Sequence, residues 1–453
     1  MPLTGLDIFK LLPKTNCGDC SKATCLAFAV QLAAKKASLD ECPHASDAAR
    51  EALGKDSTPP MKTVTIGTGD SARTIGGETV MFRHEEKFHH PTVIAIRVTD
   101  DVEPVALASR LEAIVSLQFE RVGQRLAVDA VAVDNVSGKA DTFASVAKAV
   151  ANCVPQALIL VGESPNAMKA AVGAVAARRP LICSATAANC AAMADVAKAA
   201  GCPVSVKAEN LESLAALAEQ LARAGVNELV LDASSRDHKG VLHNLTLMRR
   251  AALRKSFRPF GYPSIAFASA ADPSDEVARA STWLAKYASI IVLNACKPWQ
   301  LLPLLTERQN IYADPQKPMQ VEQRLYAAGD PDEDAPLLIT TNFSLTFFIV
   351  QADVESSRVP AWILPVDTEG TSVLTAYSGD KFNEKIIAAA MQKVGVAEKL
   401  RHRTMIIPGY VASLSGKLEE ATGWRVLVGP KESAHLPKFL QTYCREQFSA
   451  ISS

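Results

Sequence analysis

Short apolar runs rich in β-branched residues alternate with longer amphipathic stretches along most of the chain. Between residues 59 and 320 this pattern predicts eight strands, separated by helical segments such as 211–224 and 276–286. The predicted strands are 93–98, 126–133, 157–161, 181–184, 204–207, 228–232, 265–268 and 290–293. Eight strand–helix units in about 250 residues favour a (β/α)8 TIM barrel. A doubly wound sheet, which would give a similar pattern, remains the alternative.

The same alternation continues on a smaller scale in the last third of the chain. Strands are predicted at 337–341, 362–367, 404–408 and 425–428, each followed by a polar or glycine-containing loop and then a helix. This pattern predicts an open, Rossmann-like α/β sheet. In such a sheet we expect a ligand at the carboxyl ends of the strands.

Two polar, proline-containing segments divide the chain. Residues 54–60 end in a pair of prolines, and residues 314–336 contain four prolines together with a group of acidic residues. Both are typical of boundaries between domains. We therefore predict a small domain at 1–58, a barrel at 59–320 and an α/β domain at 321–453, and we expect 314–336 to be a flexible connection.

Composition narrows the classes of protein to which the chain can belong. Of the 453 residues 48% are hydrophobic, and 48 basic residues balance 48 acidic ones, so we expect no extended nucleic-acid-binding surface. Residues 1–13 have no long apolar core of the kind that a secretory signal needs. No apolar stretch reaches the ~18 residues of a membrane span. A cytoplasmic protein without membrane contact is expected.

Four of the ten cysteines fall in the first 42 residues, and their spacing carries the clearest chemistry. Cys17, Cys20, Cys25 and Cys42 form the pattern C-x2-C-x4-C-x16-C. They belong to a segment with a capping box at Thr4–Asp7 and a second helix at about 24–36. So short a segment cannot be stable by apolar burial alone and needs a metal.

The cysteine pattern favours a [4Fe–4S] cluster over zinc or free thiols. The first three cysteines are bunched rather than arranged as two separated pairs, and Cys42 precedes Pro43, as the last cysteine of bacterial ferredoxin motifs precedes a proline. Small neighbours such as Gly18 and Ala29 leave room for a cluster. Four thiolates also suit zinc, and that alternative stays open here.

Other candidate motifs have ordinary structural interpretations. The six remaining cysteines (Cys153, Cys183, Cys190, Cys202, Cys296 and Cys444) are interpreted as small buried hydrophobes. The glycine-rich 67–72 is interpreted as a turn, the histidine-rich 84–90 as a solvated hairpin, and the basic residues between Arg249 and Arg258 as a solvated helix face.

The four loops that follow the C-terminal strands are rich in small hydrogen-bonding residues. They span 340–346, 368–374, 408–413 and 429–434. A parallel sheet places all four loops at one edge, where hydroxyl and backbone N–H groups suit a large ligand with amides and a phosphate. The alternative is that these residues only cap helices.

Stretches distributed over the whole chain resemble the family of corrinoid iron–sulfur protein large (gamma) subunits. They are 3–20, Thr-Thr-Asn-Phe-Ser-Leu-Thr at 340–346, Gly-Tyr-Val-Ala at 409–412, 314–318 and 423–430. Any one of these motifs is unspecific, but their combination is typical of that family.

The resemblance implies an N-terminal [4Fe–4S] domain, a central TIM barrel and a C-terminal cobamide-binding domain. By position, Cys17, Cys20, Cys25 and Cys42 would hold the cluster. The residues that would contact the corrinoid are Thr340, Thr346, Gly370, Thr371, Ser372, Val373 and Ala434. No histidine ligand to cobalt is expected, because neither His402 nor His435 lies in the D-x-H-x-x-G motif of histidine-ligated domains.

The activity implied is that of a methyl carrier in the reductive acetyl-CoA pathway of carbon dioxide fixation. Cob(I)amide would accept a methyl group from a methyltetrahydropterin and pass it to acetyl-CoA synthase, while the cluster reduces Co(II) to Co(I). The implied partners are a smaller subunit in a heterodimer, a methyltetrahydrofolate methyltransferase, CO dehydrogenase/acetyl-CoA synthase and a reductive activator. The main rival is an electron-transfer protein whose last domain binds a nucleotide or flavin. A second rival is a scaffold with a zinc knuckle.

Overall fold

The computed structural model describes residues 4–33, 37, 39–46, 49 and 59–442. The chain forms two compact units, one of Met1–Phe119 with Leu126–Tyr312, and one of Glu120–Arg125 with Ala313–Ser453. Most of the 54–60 boundary, the predicted end of the second helix at 34–36 and Cys444 lie outside the described residues. The boundaries 1–58, 59–320 and 321–453 stay predictions.

Two short helices open the chain. Helix α1 (Gly5–Leu11) begins at the capping box that the sequence predicts, in which the Thr4 hydroxyl accepts from the Asp7 N–H. Helix α2 (Cys25–Ala33) packs against it through a small apolar core that includes Ile8, Phe28 and Leu32. This core is separate from that of the barrel.

Among the described residues, eight parallel strands form a nearly closed barrel. They run in the order β11–β12–β3–β6–β7–β8–β9–β10, and a bridge between Leu231 and Ser264 joins the two ends. The barrel strands are β3 (Val93–Thr99), β6 (Ala130–Asp134), β7 (Ala157–Val161), β8 (Leu181–Ala185), β9 (Val204–Lys207), β10 (Leu229–Asp232), β11 (Ile265–Phe267) and β12 (Ile290–Leu293). The predicted (β/α)8 barrel is confirmed, and the doubly wound alternative is wrong.

Helices surround these strands, and two hairpins form separate two-stranded sheets. The helices are α3 (Pro104–Ser116), α4 (Ala140–Cys153), α5 (Pro165–Val175), α6 (Cys190–Ala200), α7 (Leu211–Arg223), α8 (His238–Lys255), α9 (Pro273–Ala285) and α10 (Pro298–Tyr312). The hairpins are β1 (Thr63–Ile66) with β2 (Arg73–Gly76), and β4 (Gln118–Arg121) with β5 (Gln124–Ala127). Val64, Ile66 and Ile75 of the first hairpin pack against the first residues of the barrel strands and close that end of the barrel.

The glycine-rich motif at 67–72 is the turn between β1 and β2, as predicted. The segment 84–90, by contrast, forms turns rather than a hairpin, and its Phe88 is buried.

The interpretation of the basic residues after 248 as a solvated face is wrong for Arg249. Arg249 is 5% exposed, and it pairs with the buried Glu78 at 3.3 Å between the rings of Phe88 and Tyr287. It lies one helical turn beyond Leu245, on the buried face of α8, and its partners come from distant segments. The helical spacing of Leu245 and Arg249 indicates that they share a face of α8, but it does not indicate which residues contact Arg249.

The remaining cysteines are less uniform than predicted. Cys183, Cys190 and Cys202 are buried, and Cys296 is half-buried. Cys153 is exposed because it lies on the last turn of α4, so its interpretation as a buried hydrophobe is wrong.

The C-terminal unit contains a five-stranded sheet in the order β13–β15–β14–β16–β17. The strands are β13 (Tyr326–Ala328), β14 (Leu337–Thr341), β15 (Ala361–Val366), β16 (Thr404–Ile407) and β17 (Arg425–Val428). The last four are parallel, as predicted, and β13 is an antiparallel edge strand. Its helices are α11 (Ser344–Ser357), α12 (Val373–Ser378), α13 (Glu384–Val394), α14 (Val396–Lys399) and α15 (Ser415–Thr422).

The expectation that 314–336 is a flexible connection is wrong for its middle part. Val321 and Tyr326 are buried, and β13 lies within the segment. The prolines stand at either side of this ordered stretch rather than in it.

In the part of the chain that the structure describes, no helix is both long enough and apolar enough to cross a membrane.

Candidate functional site

A cavity of about 300 Å³ opens at the carboxyl ends of β14 and β16. These strands are neighbours in the sheet, although β15 lies between them in the sequence. The chain segments that follow β14 and β16 therefore lead away to opposite sides, which leaves a crevice between them. Such a crevice is where open α/β sheets bind their ligands. The wall is mostly apolar, and its residues are Leu338, Ile339, Thr340, Thr346, Ile349, Val350, Ser372, Val373, Leu374, Ile406, Ile407, Pro408, Tyr410, Gly429, Pro430, Lys431, Glu432, Ser433 and Leu436.

All four predicted loops contribute to this cavity, and close backbone contact holds two of them together. The Gly409 N–H donates to Pro430 O at 3.0 Å. A Cβ atom on Gly409 would lie 2.6 Å from Gly429 O, so a side chain here would separate the loops after β16 and β17. Glycine at this position therefore shapes one side of the cavity.

Thr340 places an unpartnered hydroxyl in the wall of the cavity. The residue is 1% exposed, and its Oγ1 has no hydrogen-bond partner within the chain. A buried hydroxyl without a partner costs on the order of 1–3 kcal/mol. A ligand with amide or hydroxyl groups would remove that cost. The residues at the cavity therefore fit a large amide-bearing ligand such as a cobamide.

The charged and phenolic residues of the wall lie on its outer part. The Tyr410 hydroxyl donates to Glu432 Oε1 at 2.5 Å, and this bond to a carboxylate raises the pKa of the Tyr410 phenol. Among the described wall residues, Lys431 is the only cation. Apart from Tyr410, Glu432 and Lys431, the described wall residues have only hydroxyl-bearing or apolar side chains or are glycine, so few groups in the wall can transfer a proton.

The structure brings most of the predicted corrinoid contacts together. Thr340, Thr346, Ser372 and Val373 line the cavity, while Gly370 and Thr371 lie in the loop that leads into α12. Ala434 directly follows the wall residue Ser433. Whether each residue contacts a cofactor stays a prediction.

Sequence reasoning missed several wall residues. They include Ile349 and Tyr410 in addition to Lys431 and Glu432. Tyr410 and Lys431 lie in two of the four loops that the sequence predicts at this edge of the sheet, so the sequence indicates the correct loops. No sequence feature distinguished the individual side chains.

The two histidines of the C-terminal unit are placed differently. His402 precedes β16, at the opposite end of the sheet from the cavity, and its Nε2 lies 2.8 Å from Ala335 O. His435 is exposed in the short 3-10 turn Ser433–His435.

Of the four N-terminal cysteines, Cys25 is the first residue of α2, and Cys17 and Cys20 lie in the loop that precedes this helix. Cys20, Cys25 and Cys42 are buried in the small apolar core, and Cys17 is exposed. The Asn16 N–H approaches Cys25 Sγ at 3.4 Å, and the Cys25 N–H donates to Asn16 Oδ1 at 2.8 Å. A backbone N–H directed at the sulfur favours a thiolate ligand. This donor set fits an iron–sulfur cluster.

Two further potential metal ligands lie beside Cys17, namely Asp19 from the same loop and His44 from the segment after Cys42. His44 Nε2 lies 2.6 Å from Asp19 Oδ2, and single atoms of Cys17, Asp19 and His44 lie within 4.8 Å of one another. The hydrogen bonds from His44 and then Cys17 lower the pKa of the Asp19 carboxyl. The sequence pattern does not predict that Asp19 and His44 meet, because 25 residues separate them.

Two protein families match this chain, one over most of its length and one over the N-terminal cysteine segment. A family described as CO dehydrogenase/acetyl-CoA synthase delta subunit matches residues 63–440, and one described as a putative Fe-S cluster matches residues 12–44.

Solved structures similar to part of this chain include dihydropteroate synthases. That of Thermus thermophilus is 17% identical and covers 56% of this chain and 100% of its own, with a TM-score of 0.38. That of Vibrio fischeri is 12% identical and covers 55% and 97%, also with a TM-score of 0.38. Similarities this weak have no bearing on function.

Relatives of known identity match almost the whole chain. The corrinoid/iron-sulfur protein large subunit of Moorella thermoacetica is 46% identical over 97% of this chain and 98% of its own. The acetyl-CoA decarbonylase/synthase complex subunit gamma of Methanothermobacter thermautotrophicus is 36% identical over 98% and 100%, and that of Methanopyrus kandleri is 37% identical over 97% and 97%. This chain therefore belongs to the family of corrinoid/iron-sulfur protein large subunits and acetyl-CoA decarbonylase/synthase gamma subunits.

Proposed function

We propose that this chain is a corrinoid methyl-group carrier of the reductive acetyl-CoA pathway, of the transferase class. It accepts a methyl group from a methyltetrahydropterin, either methyltetrahydrofolate or its archaeal analogue, and delivers it to acetyl-CoA synthase. The observation that supports this most directly is the cavity between β14 and β16, with the unpartnered hydroxyl of Thr340 in its wall.

The residues of the C-terminal unit would bind and orient the cofactor. Thr340, Thr346 and Ser372 offer hydroxyls to its amide groups, while the apolar wall excludes water. The bound cobamide would supply the cobalt that carries the methyl group, and a [4Fe–4S] cluster would supply the electron that restores oxidised cobalt. The wall residues have few groups that could act as acid or base, which suits a protein that carries a reactive cofactor rather than one that reacts itself.

Cys17, Cys20, Cys25 and Cys42 would hold the cluster. Three of them are buried, so the protein would shield much of the cluster from water, and the Asn16 N–H would hydrogen-bond one of its ligands. Hydrogen bonds and solvent exposure both tune cluster potentials.

Several partners follow from this role and from the names of the relatives. A small subunit would complete the heterodimer, because the Moorella relative is a large subunit. A methyltransferase would supply the methyl group, and CO dehydrogenase/acetyl-CoA synthase would receive it. A reductive activator would restore the centre that carries the methyl group after it has been oxidised. The barrel would serve as a scaffold on which such partners dock.

Metal analysis and visible spectroscopy of the full chain, purified without oxygen, test the proposal. We expect cobalt together with a several-fold excess of iron, and corrin absorption bands that change when the methylated form is photolysed. Iron without cobalt would support an electron-transfer protein, and zinc alone would support a scaffold. Corrin bands that stay unchanged on photolysis would contradict methyl transfer.

A further inference from the structure

A segment outside the predicted site crosses the carboxyl ends of β14 and β15. In this segment, which we call the clasp (residues 318–323), the Val321 N–H donates to Asn342 O at 2.9 Å. Met319 O accepts from the Ser344 N–H at 3.0 Å, and Gln320 forms an antiparallel bridge with Phe343. The clasp is therefore hydrogen-bonded to the loop between β14 and α11.

Asn342 connects the clasp to the loop that follows β15. The residue is 3% exposed. Its Oδ1 accepts from the N–H groups of Thr368 and Gly370 at 3.0 and 3.1 Å, and from the Thr368 hydroxyl at 3.2 Å. Its Nδ2 donates to Gln320 Oε1 at 3.1 Å and to Asp367 Oδ1 at 2.9 Å. Both ends of one buried amide are thus fully used.

The clasp also contacts the β15 loop directly. Gln323 Oε1 accepts from the Asp367 N–H at 2.8 Å. Gly370 has a φ of +74°, and a Cβ atom there would lie 2.9 Å from both Gln320 Cγ and Pro318 O. The loop conformation at 367–370 is therefore fixed by the clasp on one side and by Asn342 on the other.

We propose that Asn342 and Gln320 are positioning residues for the cofactor, because they hold the loop before Ser372 and Val373 in its binding conformation. This inference rests on the proposed function. Neither residue lines the cavity, so each would act through the loop rather than by contact. A loop that is already ordered binds a ligand without the cost of being fixed at that moment.

The test measures the dissociation constant of cobamide for the full chain after the cofactor has been removed. Gln320→Met keeps the length of the side chain but removes the acceptor for Asn342 Nδ2, whereas Gln320→Glu keeps that acceptor. We expect Gln320→Met and Asn342→Ala to raise the dissociation constant and to accelerate cobamide release. The expected loss is about tenfold for Asn342→Ala. Gln320→Glu, which keeps the acceptor but brings a second carboxylate close to Asp367, should lose less affinity than Gln320→Met.

Ser357→Ala is the matched control, because it also removes a buried side-chain hydrogen bond in the same unit. The Ser357 hydroxyl donates to Val354 O at 2.6 Å at the end of α11, far from the carboxyl edge of the sheet. This variant should lower the melting temperature without changing cobamide affinity. If Gln320→Met and Asn342→Ala bind as tightly as wild type, the positioning role is wrong. It is also wrong if affinity falls as far in Ser357→Ala or Gln320→Glu as in Gln320→Met. If the wild-type chain binds no cobamide, the proposed function itself fails.

Discussion

At the scale of single residues, two adjacent threonines at the end of β14 allow the effect of a buried hydroxyl on stability to be distinguished from its effect on cofactor binding. Thr340 and Thr341 are both fully buried, and neither hydroxyl has a hydrogen-bond partner within the chain. Thr340 lines the cavity, whereas Thr341 is not among the wall residues. The two positions therefore form a natural pair for comparison.

We expect Thr340→Val and Thr341→Val each to stabilise the cofactor-free chain by about 1 kcal/mol, because each removes an unpaired buried hydroxyl. Only Thr340→Val should weaken cobamide binding, by about tenfold. Urea unfolding and cobamide titration measure the two effects. Equal affinity in both variants would mean that the Thr340 hydroxyl does not face the cofactor.

A second prediction concerns Cys183, inside the barrel. Burial, followed by the charge of Asp232, raises the pKa of the Cys183 thiol to about 11 from an ordinary value near 9. The folded chain thus keeps a proton that the unfolded chain releases. The free energy of unfolding is unaffected below pH 9 and falls as the pH rises from about 9 to about 11, by about 2–3 kcal/mol from this group.

Urea unfolding at about pH 8 and about pH 10.5 measures this loss as a difference between variants. Cys183→Ala should lose less stability over that interval than the wild-type chain. Cys153→Ala, a change at an exposed cysteine, should follow the wild type. Parallel losses in Cys183→Ala and the wild type would contradict the prediction.

At the scale of elements, strands that are buried on both faces were predictable from the sequence. Strands β7, β9 and β12 begin and end where the apolar runs do, because each is bounded by polar or turn residues. The run 126–133 was misjudged as one strand. It is two, β5 and β6, separated by the irregular residues 128–129, and apolar content alone does not show this break.

The sequence predicts which loops form the candidate site, but it does not predict the hydrogen bonds that hold these loops together. Parallel strands place their following loops at one edge, so the convergence of four loops could be inferred. The role of Asn342 could not be, because its partners lie 22 to 28 residues away in the sequence. The clasp resembled part of a linker because it begins at Pro318 and lies in a polar segment with further prolines, whereas its buried Val321 and its backbone hydrogen bonds tie it to the sheet.

At the scale of the whole molecule, the barrel and the C-terminal sheet have separate apolar cores. The barrel core includes Phe143 and Trp283, and the C-terminal core includes Phe382 and Trp424. A cobamide would contact residues of the C-terminal unit around its cavity. Binding should therefore stabilise one core and leave the other unchanged, since a ligand stabilises only the structure that it binds.

We expect thermal unfolding of the full chain to show two transitions, of which cobamide raises one. At a free cobamide concentration of about 100 times its dissociation constant, the C-terminal unit should gain about 2.7 kcal/mol, a shift of roughly 10 °C. Differential scanning calorimetry with and without cobamide measures both transitions. Thr340→Val should reduce the shift because it weakens binding. A single transition would show that the two units unfold as one, and an equal shift of two transitions would show that the cofactor stabilises both units; either result would contradict the prediction.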